Sequence, residues 1–179
     1  VLENNDCLDI LSTNRSVYGY LSIGGTFEVD YYLNSCSTNT KAKIGANSGE
    51  KLETGQIIQL KNIKKILPKN KIEYLNSKIE NIRIIKGPHF DYFSKDAIDS
   101  FFSDEFNVTK LSDRMGIRLK GPKINNIKNT NIKSEGLVKG VIQITADGDP
   151  IIMLSDHGTI GGYPKIGVVI SADYDKLVQ

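Results

Sequence analysis

Residues Gly140–Ala172 read GVIQITADGDPIIMLSDHGTIGGYPKIGVVISA. Two segments rich in β-branched and long apolar residues, Gly140–Thr145 and Ile151–Leu154, flank the turn Ala146-Asp147-Gly148-Asp149. That pattern predicts a strand, a tight turn and a second strand. Gly158 and the run Gly161-Gly162-Tyr163-Pro164 form another break. Ile166–Ile170 then makes an almost unbroken apolar run, as expected for a strand covered on both faces. Between the last two strands lie Ser155, Asp156, His157, Thr159, Tyr163 and Lys165, polar groups at the lip of a packed sheet. Loops on a rigid scaffold are where chemistry is commonly placed, so a site is expected in this stretch.

Working outward, Leu2–Leu11 and Ser16–Ile23 alternate as the two strands of a hairpin, with Ser12–Arg15 as its turn. Phe27–Leu33 reads as a short strand or turn, and Asn34–Gly55 as a long polar loop broken by Gly45, Gly49 and Gly55. Ile57–Leu60 is a strand and Lys61–Lys71 a linker. A second unit opens with a strand over Ile79–Ile85, which Gly87-Pro88-His89 ends. Ser94 is a good N-cap for a helix over Lys95–Phe102, with Asp96 in its first turn and Phe93 and Ile98 placed to form a hydrophobic staple. Ile98, Phe101 and Phe102 supply its buried stripe. Phe106–Thr109 is a strand, and Asn125–Lys133 a surface turn. Strands dominate and helices are short and few, which gives a mostly β protein, a barrel or a sandwich.

Composition narrows the function classes. The 23 basic and 21 acidic residues of the 179-residue chain leave a formal charge of +2, too balanced for a large field of either sign. Lysines cluster only in Lys61–Ile72 (KNIKKILPKNKI), without the interleaved aromatics of a nucleic-acid module, and read as a solvated face. Nucleic acid is not an expected partner. Cys7 and Cys36 form no CxxC pair and have no neighbouring His, so neither zinc nor a disulfide framework is expected, and Cys36 reads as a small buried residue. No apolar stretch approaches the ~20 residues of a membrane helix. The start is no signal peptide, so a cytoplasmic protein is expected. The chain lacks an initiator Met and begins and ends in strand-like sequence, which reads as a piece of a longer polypeptide.

Several ordered motifs carry a resemblance. These are Tyr20-Leu21-Ser22-Ile23 with Gly25, Asn34–Thr38 (NSCST), Gly87-Pro88, Ser112–Leu119 (SDRMGIRL), Ser134–Gly140 (SEGLVKG) and the opening stretch. Together they resemble the KipA/PxpC family, described as the C component of the 5-oxoprolinase complex, as biotin-dependent carboxyltransferase-like proteins, or by the older label allophanate hydrolase subunit 2. The resemblance implies cyclophilin-like β-barrel lobes in tandem, incomplete at both ends. Residues 1–78 would be the remainder of the first lobe with its linker. Residues 79–179 would be the second lobe, carrying SDRMGIRL and GGYPK. It further implies a hydrolase subunit of an ATP-dependent complex that opens 5-oxoproline to glutamate, active only beside a KipI/PxpB-like and a PxpA (LamB/YcsF)-like partner. ATP is used by that complex, with no ATP site, covalent biotin or metal assignable to this chain. Two alternatives remain: carboxyl transfer from carboxybiotin to urea, and a non-catalytic regulatory binding module of a Kip-type complex.

Candidate residues follow from chemistry and resemblance together. Asp156 stands where the family carries Asp and can orient or deprotonate an amide nitrogen, its bland alternative being an Asx-turn. Gln143 matches the family's IQV and offers both a donor and an acceptor to a lactam or urea. These two are the expected catalytic residues. Arg114 and Arg118 match the family's RMGYRL and suit a carboxylate or phosphate; on a strand they would share one face, with pairing to Asp113 or Glu135 as the alternative. Glu135, Tyr163 and Lys165 complete the expected substrate-binding set, Lys165 as a cation for a bound carboxylate. His157 and His89 read as surface residues. Two departures from the family pattern stand out: Ile117 in place of Tyr, and Glu50 where the family's GGxxGR segment ends in Arg.

Overall fold

The computed structural model describes residues 5–9, 11, 19–64, 81–128 and 130–178. These fall into two compact units, one of residues up to 64 and one from 81 onward. The first unit is built of very short strands. β1 (Thr26–Phe27) pairs antiparallel with β4 (Leu60–Lys61), and β2 (Thr38–Asn39) with β3 (Ile44–Gly45). The segment expected to be a plain loop therefore holds a small hairpin. A 3-10 turn, Asn47–Gly49, follows it. Thr38 Oγ1 donates to Ala46 O at 2.9 Å and Glu50 pairs with Lys43, so the charge reversal at Glu50 is met within the loop itself. Cys36 is exposed, not buried, because it lies in the tight turn after the Tyr32–Ser35 bridge. Half of the expected N-terminal hairpin lies outside the described residues, and none of its described residues, 5–9, 11 and 19–23, is in a strand. Most of the expected linker is also outside them.

The second unit contains β5 (Ile84–Lys86), helix α1 (Lys95–Ser103), β6 (Asn107–Val108), β7 (Gly116–Lys120), β8 (Glu135–Gly136), β9 (Val141–Ile144), β10 (Pro150–Met153), β11 (Ile160–Gly161) and β12 (Lys165–Val169). Six of these strands form one antiparallel sheet in the order β5-β12-β9-β10-β7-β6. β8 and β11 form a separate two-stranded ribbon. The architecture is mostly β, as expected, but among the described residues the sheet is open, with β5 and β6 as its edges. Gly148 makes the β9–β10 turn possible: its φ is +77°, a conformation that costs glycine no Cβ clash.

β9 shows why this segment organises the unit, for all four of its residues are buried. Ile142 and Ile144 face a core with Phe93, Ala97, Ile124, Ile166 and Val169, whereas Val141 faces a second cluster with Leu137, Ile151 and Met153. α1 covers the first face. Ser94 Oγ accepts from Ala97 N at 3.2 Å, as its sequence signature predicts. Phe102 departs from its expected role and is 59% exposed. At about 100° per residue, it sits at the margin of the face that Ala97 and Phe101 define. The final 3-10 segment, Ser171–Val178, is anchored by fully buried Asp173. This carboxylate accepts from Arg83 N (2.8 Å), Arg83 Nε (3.0 Å) and Arg83 Nη2 (2.8 Å), and lies 3.0 Å from Lys176 Nζ. The Arg83 hydrogen bonds hold Asp173 well below the usual carboxylate range. Among the described residues no helix is long and apolar enough to cross a membrane.

Candidate functional site

Strand registry in the second unit sets Arg118 opposite Ile151, Ile151 opposite Gln143, and Gln143 opposite Lys165. Directly opposed residues of antiparallel strands project to the same face. One row therefore crosses β7, β10, β9 and β12 on the side away from α1. An open cleft of about 640 Å³ lies over this face, lined among others by Arg118, Gln143, Ile151, Gly161 and Tyr163. The β8–β11 ribbon forms one wall. Its Gly161 lies so close to the Gln143 amide that a Cβ there would sit 2.7 Å from Nε2 and 3.0 Å from Oε1. Gln143 is 3% exposed, and its Nε2 donates to Tyr163 O at 3.1 Å. The amide is thus held from the strand, from the ribbon and from the segment entering β12.

Charge is unevenly distributed around the row. Among the described residues two cations line the cleft, Arg118 and Lys120. Lys120 Nζ lies 2.8 Å from Asp149, which also holds Lys123 at 2.8 Å. Burial pushes the Asp149 carboxyl up, yet hydrogen bonds from the two lysines outweigh it and leave its pKa lowered. Arg118 is exposed and has no ion-pair partner among the described residues. At the other end of the row, Lys165 is 3% exposed and its Nζ donates to Glu135 Oε2 at 2.8 Å. That hydrogen bond holds Glu135 below the usual carboxylate range. His89, also buried, accepts the Lys165 backbone N–H on Nδ1 at 3.3 Å and places Nε2 3.7 Å from Glu135.

The expected site residues consequently separate into three groups. Gln143, Arg118 and Tyr163 meet at the cleft. Glu135, on the ribbon, pairs with Lys165 at the start of β12, and neither is among the residues lining the cleft. Arg114 and Asp156 form a second pair, Nε to Oδ2 at 2.7 Å and Nη2 to Oδ1 at 3.3 Å, and neither is among the residues lining the cleft. Arg114 does not share a strand face with Arg118. The strand begins only at Gly116, because Asp113 and Gly116 close a tight turn through reciprocal backbone bonds and Asp113 Oδ1 accepts from Met115 N at 2.8 Å. His89 is the residue that sequence reasoning missed. It is buried, not on the surface, and its partners lie far along the chain, where no local pattern signals them. Gly161 was legible only as half of a Gly-Gly turn. Among the described residues no group of three or more His, Cys, Asp or Glu is arranged to hold a metal.

Known proteins place the chain in a family. The carboxyltransferase domain family, subdomains A and B, matches residues 1–179, and the chain belongs to that family. The chain is 31% identical over 182 residues to the C component of 5-oxoprolinase from Escherichia coli (strain K12), covering 94% of this chain and 56% of that protein. It is 30% identical over 199 residues to urea amidolyase of Saccharomyces cerevisiae, covering 99% of this chain and 11% of that one. The crystal structure of Kluyveromyces lactis urea carboxylase superposes with a TM-score of 0.74 at 27% identity, over 87% of this chain and 16% of that one. The chain spans about half the length of the 5-oxoprolinase components it matches. The resemblance read from the motifs is borne out.

Proposed function

We propose that this chain forms part of a subunit of an ATP-dependent 5-oxoprolinase and supplies the surface on which the lactam is held. Water adds across the lactam C–N bond: that bond breaks, the water oxygen becomes part of a new carboxylate on the carbonyl carbon, and both water protons go to the nitrogen, which becomes the ammonium of glutamate. ATP hydrolysis drives the opening. The observation that carries the reading is the Arg118 guanidinium, without an ion-pair partner among the described residues, in the same cross-strand row as the buried Gln143 amide. The ring carboxylate would dock on Arg118, a planar fork suited to it. The lactam N–H and C=O would face the Gln143 side, whose amide can both donate and accept. Two interstrand spacings of about 4.8 Å separate the two Cα positions, and a long Arg side chain spans that gap to a small ring. The cleft volume lies in the range of small-molecule sites, roughly 300–1,000 Å³.

Activity in this reading needs a KipI/PxpB-like and a PxpA (LamB/YcsF)-like partner in the cytoplasm, with ATP bound by the complex. The test is ADP release by the full-length protein mixed with both partners, with 5-oxoproline or urea as substrate. Release that requires 5-oxoproline and all three chains is expected; release with urea alone would overturn the reading. A second reading, carboxyl transfer to urea, is favoured by the structural likeness to urea carboxylase. Urea carries no carboxylate and gives Arg118 no task, so Arg118→Ala separates the two.

A further inference from the structure

We propose that the Lys165–Glu135 pair is a latch opened by a second carboxylate, so that the cleft discriminates a dicarboxylate from the cyclic monocarboxylate. The inference rests on reading the cleft as a 5-oxoproline site. Its two partners are physically unequal. Lys165 is 3% exposed and a buried ammonium cannot be left without an anion. The Glu135 side chain is 48% exposed and sits on a two-residue strand, so water can solvate its carboxylate when it swings away. Exchange of one anion for another on Lys165 is therefore inexpensive, whereas loss of the anion is not.

Position selects which anion can exchange. Lys165 neighbours Gln143 in the cross-strand row, at the end opposite Arg118. Glu135 pairs in register with Gly161, the residue that lies against the Gln143 amide. With its single carboxylate on Arg118, 5-oxoproline presents only a neutral lactam toward Lys165, and the latch stays shut. Ring opening creates a second carboxylate at that end. The new anion competes with Glu135 for Lys165, frees the ribbon from β12 and loosens the wall of the cleft around the product. His89 backs this arrangement: with Nδ1 occupied by the Lys165 N–H, the neutral ring carries its proton on Nε2, facing Glu135.

The test is calorimetric binding to the full-length protein and its Glu135→Gln variant, with four probes: glutarate, glutamate, 5-oxoproline and glutamine. Removing the tethered competitor should tighten glutarate and glutamate roughly tenfold, with 5-oxoproline and glutamine changed by less than about twofold. A uniform change across the four, weaker glutamate binding, or no glutarate binding to either protein overturns the latch. If 5-oxoproline binds neither protein while glutarate still gains, the substrate reading falls and the latch stands. Should Glu135→Gln fail to fold, amide exchange in the unaltered protein decides. The Leu137 N–H donates to Thr159 O at 2.9 Å within the ribbon; saturating glutarate should speed its exchange and 5-oxoproline should not. Equal rates overturn the latch.

Discussion

Gly161→Ala is the smallest change that separates the position of the Gln143 amide from its chemistry. The backbone φ at Gly161 is not positive, so alanine adopts it without strain. The added Cβ, however, would lie 2.7 Å from Gln143 Nε2, 2.9 Å from Leu137 Cδ1 and 3.0 Å from Gln143 Oε1. Ordinary contacts to a methyl group need about 3.5–4.0 Å, so the amide must retreat by roughly 0.5–1 Å or the ribbon must lift by as much. Overpacking of this size costs about 1–3 kcal/mol of stability. A displacement of about 1 Å at a group that orients substrate costs on the order of 100-fold in turnover. The assay is kcat/KM for 5-oxoproline-dependent ADP release by the assembled complex, beside thermal melts of the variant protein. A loss of about 100-fold with the variant still folded at the assay temperature is expected. If Gly161→Ala is destabilised within the stated range yet keeps its turnover, Gln143 does not orient the lactam.

Four further outcomes are expected. Arg118→Ala should raise KM for 5-oxoproline by roughly tenfold or more, with Tm unchanged because the side chain is exposed and without an ion pair among the described residues; substrate-saturation curves and melts check both. Arg114→Ala and Asp156→Ala should show a coupling of about 1 kcal/mol or less in a double-mutant cycle of chemical denaturation, because the Arg114 side chain stays in solvent although Asp156 is half-buried. Ile142→Ala, at a fully buried position in the central strand, should lower unfolding free energy by about 2–5 kcal/mol in urea titrations. Asp173 carries a depressed folded-state pKa. Its stabilisation is complete above the unfolded value of about 3.9 and is lost as pH falls through the folded one. Melts from neutral to strongly acidic pH should show Asp173→Asn with a lower Tm at neutrality and a shallower acid decline than the unaltered protein.

The parts of the molecule written in short-range pattern were legible beforehand. β9, β10 and β12 followed from apolar runs and the Asp-Gly turn, and the α1 cap from Ser94. What resisted reading was pairing at a distance. Arg114 and Arg118 sit four apart in one motif, but the Asp113 turn begins the strand between them, sending one to Asp156 and the other to the cleft. His89 follows a Gly-Pro break like many surface residues, yet the antiparallel pairing of β5 with β12 carries it to Lys165. Glu135 and Lys165 were each expected in the substrate-binding set from the motifs. That they neutralise each other is a fact of the ribbon's place over the sheet.

If the row holds substrate as proposed, it suggests how one family scaffold could serve both 5-oxoproline and urea. 5-Oxoproline and urea share a planar N–C=O group, and a buried amide such as Gln143 can satisfy that group whichever molecule bears it. They differ in charge, since only the lactam acid carries a carboxylate. Specificity would then reside at the ends of the row and not at its centre. On the proposed reading, Arg118 would take the carboxylate of the substrate, while Lys165 is already paired with Glu135. On that reading a urea-directed site would need neither feature, and changes at the two flanking cations would be enough to move a site built on a central Gln from one ligand to the other. Exchanging the residue at 118 should therefore move the ratio of 5-oxoproline to urea binding by about tenfold or more, whereas Gln143→Leu should depress both. If Gln143→Leu weakens only one of the two ligands, the amide is not the shared element and the family's two chemistries use different parts of the cleft.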